Sequence, residues 1–167
     1  MRYADTPTTE VSILVDAPVA RVWALVTDIA LPARFSSELQ AASWLDDPPG
    51  PGARFVGRSR HPAAGEWETT CVVTRWDEGE AFEWAVGDPD NPSARWRFEV
   101  APAASGGTWL SQWAQIGPAP SGLTPAIEAM PDKEERIVAR RLAEHTANME
   151  ATVAGIKALA ESAEPAP

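Results

Sequence analysis

Residues 9–15 alternate, with Val11, Ile13 and Val15 on one side, which is the period of a half-buried strand. Asp16 ends the run and can cap a helix whose first turn holds Pro18 and whose apolar positions Val19, Val22, Trp23 and Val26 recur at helical spacing, predicting a helix over 18–26. Asp28 and Pro32 predict a second short helical piece near 32–36. Turn-forming clusters then recur at 47–52, 62–65, 77–79, 87–92 and 102–107, and the segments between them read as six strands at 41–46, 53–61, 66–76, 80–86, 93–101 and 108–116. Phe82, Trp84 and Val86 share one face, as do Trp96, Phe98 and Val100. In the last strand Leu110, Gln112, Ala114 and Ile116 form one set and Trp109, Ser111, Trp113 and Gln115 the other. Both sets contain apolar groups, so alternation does not choose the inward face.

Residues 117–131 are rich in proline and glycine and read as a long loop that closes a binding site, with Leu123 and Met130 as apolar contacts. Asp132 and Glu135 have capping-box spacing and predict a helix over 132–160. Its inner stripe holds Val138, Leu142, His145, Met149, Val153 and Ile156. The pattern is that of a single α+β domain over 1–167, with 1–8 and 161–167 expected to fray.

Composition narrows the possible functions. With 24 acidic against 14 basic residues the net charge is −10, which argues against a nucleic-acid partner. No apolar run is long enough for a membrane span, and the first ten residues lack a signal-peptide core, so a cytoplasmic location is expected. One cysteine, Cys71, excludes an internal disulfide, and the two histidines lack zinc-site spacing. Gly50-Pro51-Gly52 precedes a strand and lacks the Gly-Lys-Ser/Thr of a phosphate loop, so neither metal nor cofactor is expected. Eight tryptophans against one tyrosine and four phenylalanines point to a core or a ligand wall rich in indoles.

The strand ending in Asp16-Ala17-Pro18, the Val22-Trp23 pair followed by Thr27-Asp28, the strand entry Pro51-Gly52-Ala53-Arg54-Phe55 and Gly107-Thr108 at the last strand carry a resemblance. Almost the whole chain resembles the Bet v 1-like or START-like superfamily, in particular its bacterial polyketide cyclase/dehydrase (SRPBCC) branch. The resemblance implies a helix-grip fold, in which a curved seven-stranded antiparallel sheet wraps the long C-terminal helix, with two short helices after the first strand. It also implies a cavity between sheet and helix for a small hydrophobic or amphipathic molecule such as a lipid, sterol or polyketide. Some members resemble aromatase/cyclases, and no catalytic motif of the family transfers residue by residue.

A ligand cavity of about 300 Å³ or more is expected, lined mainly by apolar groups. Trp84, Trp96, Phe98, Gln112, Leu123, Met130, Arg141, His145 and Met149 are its candidate wall. His145 reads either as a core histidine satisfied by a carbonyl or as a ligand contact or base. Arg141 either offers its fork to a ligand or pairs with Glu144 or Glu135. His145 as base with Arg141 or Gln112 as enolate donor is the only catalytic set available, and a cyclase using it is the alternative to a binding protein. A further alternative is a chaperone-contacting module that exposes Trp109 or Trp113. His61 reads as an exposed turn residue and Cys71 as core. Arg54, Arg58 and Arg60 read as partners of Glu66 and Glu68 on a solvated face.

Overall fold

The computed structural model describes residues 1–162. Strand β1 (Thr8–Val15) is followed by α1 (Val19–Val26), a 3-10 turn (Leu31–Arg34), and strands β2 (Leu39–Trp44), β3 (Arg54–His61), β4 (Gly65–Asp77), β5 (Ala81–Val86), β6 (Ala94–Pro102) and β7 (Thr108–Ile116). Two helices close the order, α2 (Thr124–Ala129) and α3 (Glu134–Glu161). The strands form one antiparallel sheet in the order β1-β7-β6-β5-β4-β3-β2, so the chain's first strand pairs with its last and β1 and β2 are the two edges. Together with the long C-terminal helix lying against β1 and β7 this is the helix-grip architecture.

Helix α3 runs alongside β1, with Thr146 Oγ1 2.6 Å from Thr9 Oγ1 and Lys157 Nζ donating to the Leu14 carbonyl at 2.8 Å. Its inner stripe buries Val138, His145, Met149, Val153 and Ile156 as the helical period predicts, with Leu142 half-buried. Gly155 lets this helix meet the 3-10 turn region closely: a Cβ there would lie 2.4 Å from the Phe35 ring. The sequence cost of a mid-helix glycine is thus offset by packing.

In β7 the register decides what alternation could not. Leu110, Gln112, Ala114 and Ile116 are buried, and Gln112 stands across from Val11 on one side and Phe98 on the other. One irregularity in β4 matters for the aromatic core. A bulge between Val73 and Arg75 leaves Thr74 without a ladder partner, so Trp76 returns to the face of Val73 and pairs with Phe82.

Both predicted side-chain caps are replaced by longer-range contacts. Neither Asp16 nor Asp132 caps a helix. The Asp16 amide donates to Glu161, while at the start of α3 Glu134 accepts from the Tyr3 amide at 2.9 Å and Glu135 meets the Met1 ammonium at 3.0 Å. These bonds, with Tyr3 Oη donating to the Ala119 carbonyl at 2.6 Å, hold the first residues that composition marked as a frayed tail. At the other tail Glu161 is engaged, and 163–167 lie outside the described residues. The loop expected over 117–131 contains α2, a six-residue helix that the proline and glycine content disguised. Among the described residues no helix is long and apolar enough to cross a membrane.

Candidate functional site

The concave face of the sheet divides into two parts. At one end Trp23, Trp76, Trp44, Phe55, Phe82, Trp84 and Phe98 touch in a continuous series, with ring centroids 4.9 to 6.3 Å apart and mostly edge-to-face. Phe82 and Phe98 are fully buried there, and Val15, Val22, Val153 and Ile156 complete the core. Cys71 belongs to this core; burial pushes its thiol up to about 12, against a smaller opposing effect of a hydrogen bond with Thr69.

At the other end inward side chains keep contact with solvent. Ser59 pairs with Trp67 and Gly57 with Thr69 in the β3–β4 register, which sets Ser59, Trp67 and Thr69 on the face of Phe55 and Cys71, yet all three are only half-buried. Trp96, the cross-strand partner of Trp84, is half-buried too, as are Trp44, Trp76 and Trp84 within the ring series.

His145 enters this region from α3. Its ring stands edge-on to Trp96 at 4.8 Å between centroids, it is 8% exposed, and among the described residues no hydrogen bond reaches its imidazole. Burial first, and then the charge of Arg141, hold its pKa down to about 3, so the ring is neutral at neutral pH. Gln112 faces inward from β7, diagonal to Trp96 across the β6–β7 ladder; it is 6% exposed and its Oε1 has no hydrogen-bond partner. The carbonyl-satisfied core histidine is therefore not what α3 carries.

Arg141 is fully engaged. Its fork donates to both carboxylate oxygens of Glu38, with Nη1 at 2.8 Å from Oε2, and Nη1 also meets Glu144 at 3.2 Å. Burial lowers the guanidinium pKa, but the bonds to Glu38 outweigh this and the net shift is upward. Glu144 in turn lies 3.4 Å from His61 Nε2, and Asn148 Oδ1 accepts from the Ser37 amide and hydroxyl, both at 2.9 Å. Opposing its burial, the bonds from Arg141 and Arg140 hold the Glu144 carboxyl below its usual range. His61 is thus not a free turn histidine, because β3 is long enough to bring its end to α3. These contacts tie the middle of α3 to the β2–β3 edge, and a surface cleft of about 220 Å³ lies over them, lined by Glu38, Arg60, His61, Glu144 and Asn148 among others.

A second cleft, of about 280 Å³, lies among Met130, Lys133, Arg136, Ile137 and Arg140. Neither cleft is the apolar chamber of 300 Å³ or more expected from the resemblance, and neither is lined by Trp84, Trp96, Phe98, Gln112 or His145. Met130 is exposed beside Lys133, so it is no interior contact; α2 ends just before it and turns it outward. Leu123 is half-buried at the start of α2, and Met149 is buried on α3 one turn beyond His145. Phe98 belongs to the packed end. Trp67 and Thr69 were missed, although parity with Cys71 along 66–76 carried the signal.

The convex face is an ion lattice. Arg97 spans Glu83 and Glu99, both at 3.2 Å, and lies 4.7 Å over the Trp113 ring; Arg60 meets Glu66 at 3.1 Å. Trp109 is exposed, across from Leu14.

The comparisons with known proteins agree on the family. Residues 6–161 match the model of a family described as polyketide cyclase / dehydrase and lipid transport. The chain is similar to the solution structure of a Polyketide_cyc-like protein, Cgl2372 from Corynebacterium glutamicum, with 32% identity over 91% of this chain and 90% of that one and a TM-score of 0.63. It is also similar in fold to the di-domain ARO/CYC BexL of the BE-7585A biosynthetic pathway, at 16% identity and TM-score 0.69, covering 95% of this chain and 51% of that one. The fold extends to Ara h 8.0201, at 15% identity and TM-score 0.53 over 89% and 98% of the two chains. No curated protein matches the chain.

Proposed function

Since this chain belongs to the polyketide cyclase/dehydrase and lipid transport family, we propose that it binds one small hydrophobic or amphipathic molecule, of lipid or polyketide type, between the open half of its sheet and α3, and that it does so in the cytoplasm. The observation that supports this reading is the incompletely covered concave face: Ser59, Trp67, Thr69 and Trp96 point inward and are only half-buried, Trp96 meets the buried His145, and the buried Gln112 Oε1 diagonal to it has no partner. Half-exposed indoles on a concave surface gain contact area when an apolar molecule covers them.

Binding without turnover is the reading the chemistry favours. A general base works best with a pKa near the operating pH, and an imidazole held near 3 is a weak proton acceptor at neutrality. Arg141, another catalytic candidate, has its fork occupied by Glu38 and Glu144.

The test is titration with the neutral dye N-phenyl-1-naphthylamine, whose fluorescence rises in apolar surroundings. A saturable rise with one dye per chain, abolished by Trp96→Glu in a variant that still folds by circular dichroism, is expected. A signal that never saturates, or that survives Trp96→Glu unchanged, overturns the proposal.

A further inference from the structure

Two polar side chains of the site are buried, one on each wall, and one of them, Gln112, carries a fully buried atom without a partner. Gln112 Oε1 lies in the sheet wall without a hydrogen bond, and the His145 imidazole lies in the helix wall, also without one among the described residues. Trp96 connects them: it is diagonal to Gln112 on the sheet and in edge contact with His145. A buried acceptor left unmade costs about 1 to 3 kcal/mol, so such groups are retained where something else completes them.

What completes them is constrained by charge. The carboxamide oxygen accepts only, and a neutral imidazole offers one acceptor and one donor. The cation that would balance a buried anion, Arg141, is held in a fork by Glu38 and again by Glu144. An anionic head group brought to Trp96 would be desolvated without a counter-charge, at a cost of several kcal/mol. A hydroxyl, by contrast, donates to Gln112 Oε1 and accepts from or donates to the imidazole, leaving both walls satisfied.

We infer that Gln112 and His145 form the polar end of the binding site and select a neutral ligand that leads with an alcohol or phenol hydroxyl, rejecting the corresponding carboxylate. This rests on the binding proposal above and specifies its ligand class. The polarity of the site is then set from two walls: sheet and helix each supply one group, and only a molecule inserted between them meets both.

The experiment is displacement of N-phenyl-1-naphthylamine by three probes of one shape: 2-naphthol, 2-methylnaphthalene and 2-naphthoate at pH 7. The expected order is naphthol first, about tenfold tighter than the methyl compound, which lacks the donor, with naphthoate weakest. Gln112→Met removes the orphan oxygen at similar volume, so it should leave the fold as stable or more so, keep binding of 2-methylnaphthalene, and erase the preference for naphthol. His145→Phe keeps a ring against Trp96 and is expected to erase part of the same preference. If the dye itself does not bind, the binding proposal falls. If the dye binds but naphthol and methylnaphthalene displace it equally, or naphthoate displaces it best, the hydroxyl inference falls alone. Should Gln112→Met keep the preference and lose stability instead, the glutamine serves the fold through a buried water, and the inference is overturned.

Discussion

The two ends of the concave face are made of the same residue types and behave differently. At the end covered by α1, each aromatic ring touches the next, and Phe82 and Phe98 are about 1% exposed. Away from it Trp67 and Trp96 are only half-buried, and Gln112 Oε1, diagonal to Trp96, lacks a partner. An indole is therefore no marker of a core by itself. What distinguishes the ends is whether a neighbouring element covers the sheet: α1 and the C-terminal half of α3 do so at one end, while at the other α3 is held by ion pairs near its middle.

The largest expected effect tests the packed end. Phe82→Ala removes a ring that contacts both Trp76 and Trp84, and should cost about 3 to 5 kcal/mol in urea unfolding. Trp67→Ala deletes a larger side chain from the same face of the same sheet, but one that water already reaches, and should cost less than about 1.5 kcal/mol. Equal losses in the two variants would erase the distinction between the ends.

Much of the architecture was legible because turn residues recur between strands whose alternation survives burial, and because the α3 stripe keeps its helical period from Val138 to Ile156. What was not legible depends on contacts distant in sequence. Glu38 sits in a short link before β2, and nothing in its neighbourhood announces that Arg141, 103 positions on, will grip it. Asp16 and Asp132, read as helix caps, cap nothing, while Glu134 and Glu161, which carry no capping signal, accept from the Tyr3 and Asp16 amides, since capping spacing is local and these contacts are not. The bulge at Thr74 reversed the parity of Trp76, which strict alternation places on the outer face. In the site, the helical period alone placed His145 inward, whereas Gln112 needed the β7 register to settle its face, and the half-burial of Trp67 and Trp96 depends on what covers them.

The next effect tests what holds the open end. Arg141→Met leaves the Glu38 carboxylate, with its side chain 13% exposed, beside Glu144 without its guanidinium, and should cost about 2 to 3 kcal/mol. Hydrogen exchange should locate the loss: amides of the β2–β3 edge exchange faster, while those of β1 and β7 stay at their wild-type rates. Uniform acceleration across the sheet would mean that the two ends unfold as one unit.

His145→Gln is the smallest expected change at neutral pH and the one whose sign turns with acidity. At pH 7 the imidazole is neutral in both folded and unfolded chains, so the variant loses only edge packing against Trp96, about 1 kcal/mol. As the pH falls below about 6.5, the unfolded chain takes up a proton on this histidine while burial, reinforced by Arg141, keeps the folded one neutral until about pH 3. The unfolded state then binds more protons than the folded state, so wild-type stability falls with decreasing pH, by at most about 1.4 kcal/mol per unit across that window. Glutamine does not titrate, so this contribution is absent from the variant's profile. Glu144 works in the same direction only lower down: its folded pKa is depressed, so its contribution is present above the usual carboxylate range and is lost as pH falls through the folded value. The difference between the two proteins' unfolding curves from pH 5 to 7 therefore isolates His145, and the variant should match or exceed the wild type by pH 5. Parallel pH profiles for the two proteins would mean that the imidazole is protonated where it sits, and that the open end is wetter than its burial on α3 implies.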